Sequence, residues 1–304
     1  MRVSSASNAV RARARATATE RKVVAFSYGV TCTDMEGRNI MTSGETRYDR
    51  RLEWLGAWSG IVWVVASGAA FGGSGLLPVK SPATSPRDLA AYLSDHKVQI
   101  LVGMMFLLIG SYTFLMTWSL TFAYQIKKYA NPSPLAFYVL VIVGINGGII
   151  GMLCGVVGSA MAYRVDSLPP EVTQLLFDII WFLFLIPWPP FMLWQFIAGF
   201  AILSSQNKQT MFPRWTGYFS LWAGALEVFS ALSVYFYRGP FSYNGLVTFW
   251  VPGVSFFVWV LVFAIVQIRG WARVQSEVPA TVAAEDDRSI PDQKQAPIAE
   301  SAQV

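Results

Sequence analysis

Six long apolar stretches dominate the sequence and limit the folds that it can adopt. Each is near or above the roughly 20 residues that a helix needs to cross the hydrocarbon core of a bilayer. No strand-like alternation of apolar and polar residues competes with them, and an open sheet cannot satisfy its backbone groups in lipid. We therefore predict an all-α fold, a polytopic membrane bundle of six transmembrane helices. The stretches cover approximately residues 54–78, 98–124, 135–163, 172–203, 215–237 and 246–268.

The composition excludes several classes of function. Charged residues make up 13% of the 304 residues, whereas a soluble domain carries about 25%, so most of the surface does not face water. The net charge of +5 does not indicate a nucleic-acid partner, because the Arg and Lys residues flank the apolar stretches. One histidine and two cysteines are too few for a di-iron cluster or a bis-histidine haem, and neither cysteine has metal-ligand spacing. We predict no metal site and no cofactor.

The polar ends of the chain define the predicted domain organisation. Residues 1–50 are predicted to be a disordered cytoplasmic extension, 51–273 the six-helix transmembrane domain, and 274–304 a disordered cytoplasmic tail. The Arg-rich stretch RARARATATERK also fits an organelle transit peptide. A third interpretation is upstream sequence included in error, since Met41 opens MTSGETRYDRR, a second possible start just before the first apolar stretch.

The Lys and Arg residues between the stretches predict the orientation in the membrane. Six spans place 18 of the 23 positive residues on the side of the two chain ends and 5 on the other side. Loops that stay in the cytoplasm carry the excess of Lys and Arg. We therefore predict that both termini are cytoplasmic.

Small residues recur along one face of the third apolar stretch. Gly147, Gly151, Gly155 and Ser159 follow one another at steps of four residues, which places them on one side of a helix. Small side chains allow a second helix backbone to approach closely in a membrane. We predict that this ladder packs inside the bundle, the alternative being a dimer interface. Gly68 and Gly72 form a shorter version in the first stretch.

Two acidic residues lie well inside the predicted spans and suggest a polar pocket. Counting from the non-cytoplasmic side, Asp178 in the fourth span lies about 9 Å deep and Glu227 in the fifth about 15 Å deep. A carboxylate inside a membrane is costly and normally faces the interior of the bundle. We predict that both carboxylates line one pocket in the outer half of the bundle, that the pocket holds a ligand or a proton, and that His96 lies at its rim.

Three prolines interrupt the fourth stretch below Asp178, in the motif IPWPP. Proline removes a backbone donor and kinks or breaks a helix, and freed carbonyls at membrane depth are tolerated only inside protein or beside a water-filled cavity. Pro187, Pro189 and Pro190 therefore predict a helix break. Broken helices occur at binding sites of secondary transporters. The alternative is a kink that only shapes packing, with Asp178 bonded to a neighbour.

Four motifs in the C-terminal half resemble the corresponding stretches of a known family. They read DIIWFLFLIPWPPF, FPRWTGY, GPFSYNG and VPG. Over about Asp178 to Trp259 the chain resembles a family of uncharacterised multi-pass bacterial membrane proteins. The resemblance implies a bacterial inner-membrane protein and supplies no substrate.

The function predicted from these features is that of a transporter or a small-ligand binding protein. Its partners would be the lipid bilayer and a small lipophilic or proton-coupled ligand. Two alternatives stay open: a structural or accessory membrane subunit, and a membrane enzyme that acts on a lipophilic substrate through the two carboxylates. The sequence contains no nucleophile elbow G-x-S-x-G and no zinc-binding H-E-x-x-H motif. This favours a protein that is not an enzyme.

Overall fold

The computed structural model describes residues 47–206 and 211–288, and side chains within 49–206 and 211–273. The predictions for residues 1–46, including the choice between Met1 and Met41, and for residues 289–304 lie outside the described residues. In the described part the chain is helical and contains no strand. The helices are α1 (Arg47–Gly73), α2 (Pro86–Asp95), α3 (Lys97–Ile109), α4 (Met116–Ala130), α5 (Pro134–Arg164), α6 (Pro170–Leu185), α7 (Trp188–Ser204), α8 (Arg214–Glu227) and α9 (Val251–Arg288).

Within the described residues six helical spans are long and apolar enough to cross a membrane, which confirms the predicted fold class. Between 22% and 44% of each span's most apolar window is buried inside the protein, so much of this apolar surface faces outwards. Side chains such as Val65, Phe200 and Trp222 are more than half exposed there, as expected for a surface in contact with lipid. The chain is a multi-pass integral membrane protein. The spans are Asp49–Gly73, Lys97–Ala130, Pro134–Arg164, Pro170–Ser204, Arg214–Val234 and Leu246–Arg273.

Short capped turns join the spans at the end of the bundle where residues 131–133 lie. Asn131 adopts a left-handed conformation, with φ of 47°, and ends α4. Two residues later the Ser133 side chain accepts a hydrogen bond from the Ala136 backbone N–H, and Pro134 occupies the first turn of α5. Asparagine tolerates the left-handed region, and proline needs no donor in the first turn of a helix. These local preferences stop one helix and start the next within three residues.

The opposite end, here called the loop end, comprises residues 74–96, 165–169 and 235–245. Its connections bond to one another: Lys97 and Ser94 both donate to Asp166, each at 2.6 Å, and Gln174 donates to the Thr84 carbonyl at 3.1 Å. The hydrogen bond from Lys97 lowers the pKa of Asp166, and that from Ser94 lowers it further. The loop end is therefore held by polar contacts between connections that are far apart in sequence.

Helix α2 belongs to the loop end and was not anticipated. Ser85 caps it by accepting a hydrogen bond from the Asp88 backbone N–H at 3.2 Å, and Pro86 follows in the first turn. Its apolar residues Leu89 and Leu93 are buried while the helix packs against α6. A ten-residue helix with a mixed composition does not give the signal of a span, so a search for spanning segments passes over it.

The small-residue ladder of α5 contacts two different neighbours. A Cβ atom on Gly155 would lie 2.8 Å from the Leu108 Cβ and 3.0 Å from the Met104 carbonyl oxygen in α3. Gly151 faces Ser111, which lies in the second span together with α3, whereas Gly147 faces α7. Ser159 keeps a buried hydroxyl that has no hydrogen-bond partner in the described part of the chain. The ladder thus seats α5 against the second span along most of its length.

Two sequence-based expectations differ from the structure. A Cβ atom on Gly68 or Gly72 would meet nothing within 4 Å, so the shorter ladder in α1 seats no helix. Residues 274–288, predicted to begin a disordered tail, continue α9 as far as Arg288. The stretch VQSEVPATVAAEDDR contains Pro279, which disfavours a helix, so the sequence does not predict this continuation.

Candidate functional site

The fourth span is broken where the three prolines lie. Helix α6 ends at Leu185 and α7 begins at Trp188, with Pro189 and Pro190 in its first turn. Prolines in a first turn cost nothing, since the first backbone donors of a helix have no partner in it. However, Pro187, Pro189 and Pro190 cannot donate to the carbonyls four residues before them, which in a continuous helix would be those of residues 183, 185 and 186. The break therefore leaves polar backbone atoms in the interior of a span.

Three other spans also depart from α-helical geometry. The second span contains a π-helical segment, Gly110–Leu115, between α3 and α4. Helix α8 changes to a 3₁₀-helix at Val228–Val234, and α9 is preceded by a π-helical segment at Leu246–Trp250. Such local changes inside a span are uncommon, and π-helical turns are frequent at functional sites.

Three of these departures border one cavity in the bundle: the break in the fourth span, the π-helical segment Gly110–Leu115 and the 3₁₀-helix Val228–Val234. The cavity has an empty volume of about 620 Å³, counting the part that opens to the outside, and residues from all six spans line it. Ligand pockets are mostly apolar with a few polar groups. The lining residues are Trp63, Phe71, Leu107, Ser111, Leu115, Gly147, Ile150, Gly151, Phe184, Leu185, Trp188, Phe191, Glu227, Ser230, Pro252, Gly253, Phe256 and Phe257.

Aromatic rings form much of the cavity wall. Seven of the lining residues are aromatic, and several of their rings pack against one another. Trp63 stacks on Phe257 with ring centroids 4.8 Å apart, and Phe191 lies 4.8 Å from Phe256. Gly253 on α9 leaves space beside the rings unfilled, since a Cβ atom there would meet nothing within 4 Å.

Glu227 is the acidic residue in this wall. Its side chain is 5% exposed, and its Oε1 accepts a hydrogen bond from Gln195 Nε2 at 3.2 Å. The Gln195 backbone carbonyl in turn accepts from Ser220 Oγ at 2.7 Å, and Ser220 accepts from Trp259 Nε1 at 2.8 Å. This chain of hydrogen bonds joins α7, α8 and α9. It fixes the position of the carboxyl group beside the cavity.

The hydroxyl groups in the wall are engaged with backbone or indole groups. Pro252 cannot donate to the Thr248 carbonyl, and Ser230 Oγ donates to this carbonyl instead, at 3.4 Å. Ser111 Oγ accepts a hydrogen bond from Trp63 Nε1 at 3.3 Å. A buried polar group without a partner is costly, so these contacts explain why serines occupy the two positions beside irregular backbone.

His96 lies in the loop end and Asp178 lies in α6, and neither lines the cavity. Asp178 Oδ1 accepts a hydrogen bond from the Tyr243 hydroxyl at 2.8 Å. His96 stacks on Tyr92 with ring centroids 4.2 Å apart, and its Nδ1 lies 2.9 Å from the Tyr92 carbonyl oxygen. Of the three residues predicted to share a pocket, Glu227 alone lines this cavity. The structure gives each carboxyl group a hydrogen-bond partner of its own.

The contact between Asp178 and Tyr243 connects residues 235–245 of the loop end to α6. Burial raises the pKa of Tyr243 above its ordinary value, and the charge and hydrogen bond of Asp178 raise it further. The hydroxyl therefore remains a donor throughout the neutral range. Next to it, Asn244 Nδ2 donates to the Val79 carbonyl at 3.4 Å. This arrangement matches the alternative in which Asp178 is bonded to a neighbour and supports the packing of a loop.

Sequence reasoning missed Gln195, Ser230 and Tyr243. Gln195 is fully buried, and an amide in the middle of an apolar run is a signal that could have identified it as a partner for a buried acid. Ser230 and Tyr243 carry no such signal, since serine and tyrosine are common near span ends. No group of three or more His, Cys, Asp or Glu residues that could hold a metal ion occurs in the described residues.

Comparisons with protein-family models, curated proteins and solved structures find no match to this chain. The arguments for its function therefore rest on its own geometry. That geometry is of a multi-pass membrane protein with a cavity at the point where its spans are least regular.

Proposed function

We propose that the protein binds a small, mostly apolar ligand in the central cavity and acts as a transporter or a membrane-embedded binding protein for it. One observation carries the proposal: all six spans line the cavity, and three of them depart from α-helical geometry at or beside residues that line it. Irregular backbone is tolerated at membrane depth only inside protein or along a cavity. A bundle selected for stability alone would keep these segments regular.

The chemistry of the cavity wall supports the same proposal. Protein interiors are normally close-packed, and empty space lined by large side chains lowers stability. Here Gly253 leaves space open, since a Cβ atom there would meet nothing within 4 Å, although larger apolar residues are abundant in the chain. A mostly apolar wall with seven aromatic residues and one carboxyl group resembles the general composition of small-molecule sites.

A ligand screen on matched glycine variants tests the proposal. Detergent-purified wild type is screened for thermal stabilisation by a panel of lipids and lipophilic metabolites, and the hits are repeated on Gly253→Leu and Gly68→Leu. A Cβ atom at either glycine would meet nothing within 4 Å, so we expect both variants to fold. Gly253 lines the cavity. We therefore expect Gly253→Leu to need at least about ten times more ligand than wild type for the same thermal stabilisation. Gly68→Leu should respond like wild type.

Two outcomes would contradict this proposal. Equal stabilisation of both variants by every hit would place the ligand outside the cavity. A screen without any hit would favour the alternative of a structural or accessory membrane subunit.

The proposal includes a location and an orientation. We propose a bacterial inner-membrane protein with both termini in the cytoplasm, supported by the resemblance over Asp178–Trp259 and by the 18 positive residues on the side of the chain ends against 5 on the other side. A green fluorescent protein fused after Val304 should fluoresce, and alkaline phosphatase fused at the same position should be inactive. Fusions of both reporters within residues 239–241 serve as the control and should give the opposite pattern. An active phosphatase after Val304 would contradict the orientation.

A further inference from the structure

We infer that the ligand of the central cavity is an organic monocation, an amine or quaternary ammonium, which binds beside Glu227 in exchange for one proton. This inference rests on the proposed function and specifies the chemical class of its ligand. Three properties of the cavity carry it: the isolation of the carboxyl group, the absence of a cation in the wall, and the aromatic rings around it.

The first property is that the cavity contains one titratable side chain. Among the lining residues of the described chain, Glu227 is the only Asp, Glu, His, Lys, Arg, Cys or Tyr. Its hydrogen-bond partner Gln195 on α7 is neutral. Cys154 on α5 and Asp178 on α6 also lie inside spans, but they bond to the Ile180 carbonyl and to the Tyr243 hydroxyl, and neither lines the cavity.

The second property is that no Lys or Arg side chain in the wall can neutralise a carboxylate. An ionised carboxyl group taken out of water costs many kcal/mol unless it is paired, and an unpaired group takes up a proton instead. The empty cavity is therefore neutral when Glu227 carries a proton. It can equally be neutral when the carboxylate pairs with a ligand that carries one positive charge. An anionic ligand would meet a like charge when Glu227 is ionised, and the described lining residues include no Lys or Arg to pair with it, so the site disfavours it.

Charge and atoms balance in this exchange. The protonated carboxyl group releases its proton to water, and the cation takes its place beside the carboxylate. One positive charge enters and one leaves, so the buried site stays neutral in both states. No further ion has to follow the ligand into the protein.

The third property is the aromatic wall. The face of an aromatic ring attracts a cation, and quaternary ammonium ligands are commonly held in this way. Rings from α1, α6, α7 and α9 surround the space next to Glu227, among them Trp63, Trp188 and Phe256. A neutral lipophilic ligand would gain the apolar contacts but would leave the carboxyl group without a new partner. The wall therefore favours the charged member of an isosteric pair.

Benzyltrimethylammonium and its uncharged isostere neopentylbenzene form such a pair and are the probes for the test. Each is titrated into detergent-purified wild type, and binding is measured by thermal stabilisation and by calorimetry. We expect the cation to bind and the isostere to bind at least about tenfold more weakly. Because a proton competes with the cation for Glu227, lowering the pH should weaken cation binding, by up to about tenfold per pH unit. Calorimetry in buffers of different ionisation heat should detect proton release.

Three substitutions separate the carboxyl group from its surroundings. Glu227→Gln keeps the shape of the side chain and its contact with Gln195, and should weaken cation binding at least about 30-fold and remove its pH dependence. Glu171→Gln makes the same chemical change at an exposed position of α6, and Asp178→Asn removes the other acid inside a span. Both should bind the cation like wild type. If Glu227→Gln does not fold, proton release by wild type decides the question.

The outcomes distinguish this inference from the function on which it rests. Equal binding of the two probes, or cation binding without proton release at any pH, would overturn the monocation exchange. The small-ligand function would then stand if Gly253→Leu still weakens the thermal stabilisation by ligands from the panel. Loss of cation binding in Asp178→Asn to the same extent as in Glu227→Gln would also overturn the assignment of the site to Glu227.

Discussion

Replacement of Gly155 by leucine is expected to abolish most of the folded, monodisperse protein obtained in detergent. Even a Cβ atom at this position would lie 3.0 Å from the Met104 carbonyl oxygen, and backbone atoms cannot move aside as a flexible side chain can. Overpacking a well-packed contact typically costs 1–3 kcal/mol and occasionally more. Since α5 is seated against the second span through Gly148, Gly151 and Gly155, separating the two helices would disturb the centre of the bundle. Size-exclusion chromatography after mild solubilisation measures the effect.

The matched control for this prediction is Gly68→Leu. It makes the same chemical change in another span, at a position where an added side chain meets nothing within 4 Å. Its yield and elution profile should equal those of wild type. Wild-type behaviour of both Gly155→Leu and Gly151→Leu would mean that the ladder does not seat α5 against the second span.

Removal of the Trp118 side chain is expected to cause the second large loss of stability. Trp118 is fully buried, and its ring lies between 5.2 and 5.7 Å from those of Phe122, Trp194 and Trp259. Its Nε1 also donates to Gln267 Oε1 at 2.6 Å. Trp118→Ala should therefore lower the stability by about 3–5 kcal/mol, because it creates a cavity and leaves a buried amide oxygen without its donor. The apparent melting temperature in detergent should fall accordingly.

Trp222→Ala provides the comparison for this variant. Trp222 is 59% exposed on α8, where its ring faces outwards. The same truncation there should change the melting temperature little, because it leaves no cavity. Equal losses in the two variants would show that the aromatic cluster around Trp118 does not stabilise the bundle more than lipid-facing rings do.

The six spans could be predicted because a bilayer makes length and apolarity strong constraints. The end of a span is less visible in the sequence. The first stretch appeared to run to residue 78, but α1 ends at Gly73 and the chain turns at Gly75, where φ is 74°. Leu76 and Val79 are apolar because they are buried within the loop end. They pack there as core residues do in a soluble protein.

The helix break was visible in advance because proline acts locally. It removes a specific donor at a specific residue, and no distant contact can restore it. The π-helical segment Gly110–Leu115 has no such marker. Its residues GSYTFL are mostly weaker helix formers than alanine, but none of them selects a π-helix over an α-helix. The segment packs against α5, and nothing in its own sequence reveals the change.

The site could be predicted only in part for a similar reason. Counting residues along a span estimates the depth of an acid but not the direction in which its side chain points around the helix axis. Asp178 and Glu227 have comparable depths, yet Asp178 meets Tyr243 and Glu227 meets Gln195. Which neighbour a buried carboxyl group meets depends on how the helices rotate and cross. Neither quantity follows from hydropathy.

The π-helical segment in the second span affects which side of the rest of that helix faces the protein interior. Upstream, the buried residues Ile100, Met104 and Leu107 are spaced by four and then three residues. Beyond the segment the buried face widens, with Trp118 and Gln125 buried beside Ser119, Phe122 and Ile126. One inserted residue turns the rest of a helix by about 100°. The number of residues between Leu107 and Leu115, more than their identity, therefore determines which side of α4 faces the aromatic cluster. Insertions and deletions in this short segment act on the far half of the span, while point substitutions act mainly on the cavity beside it.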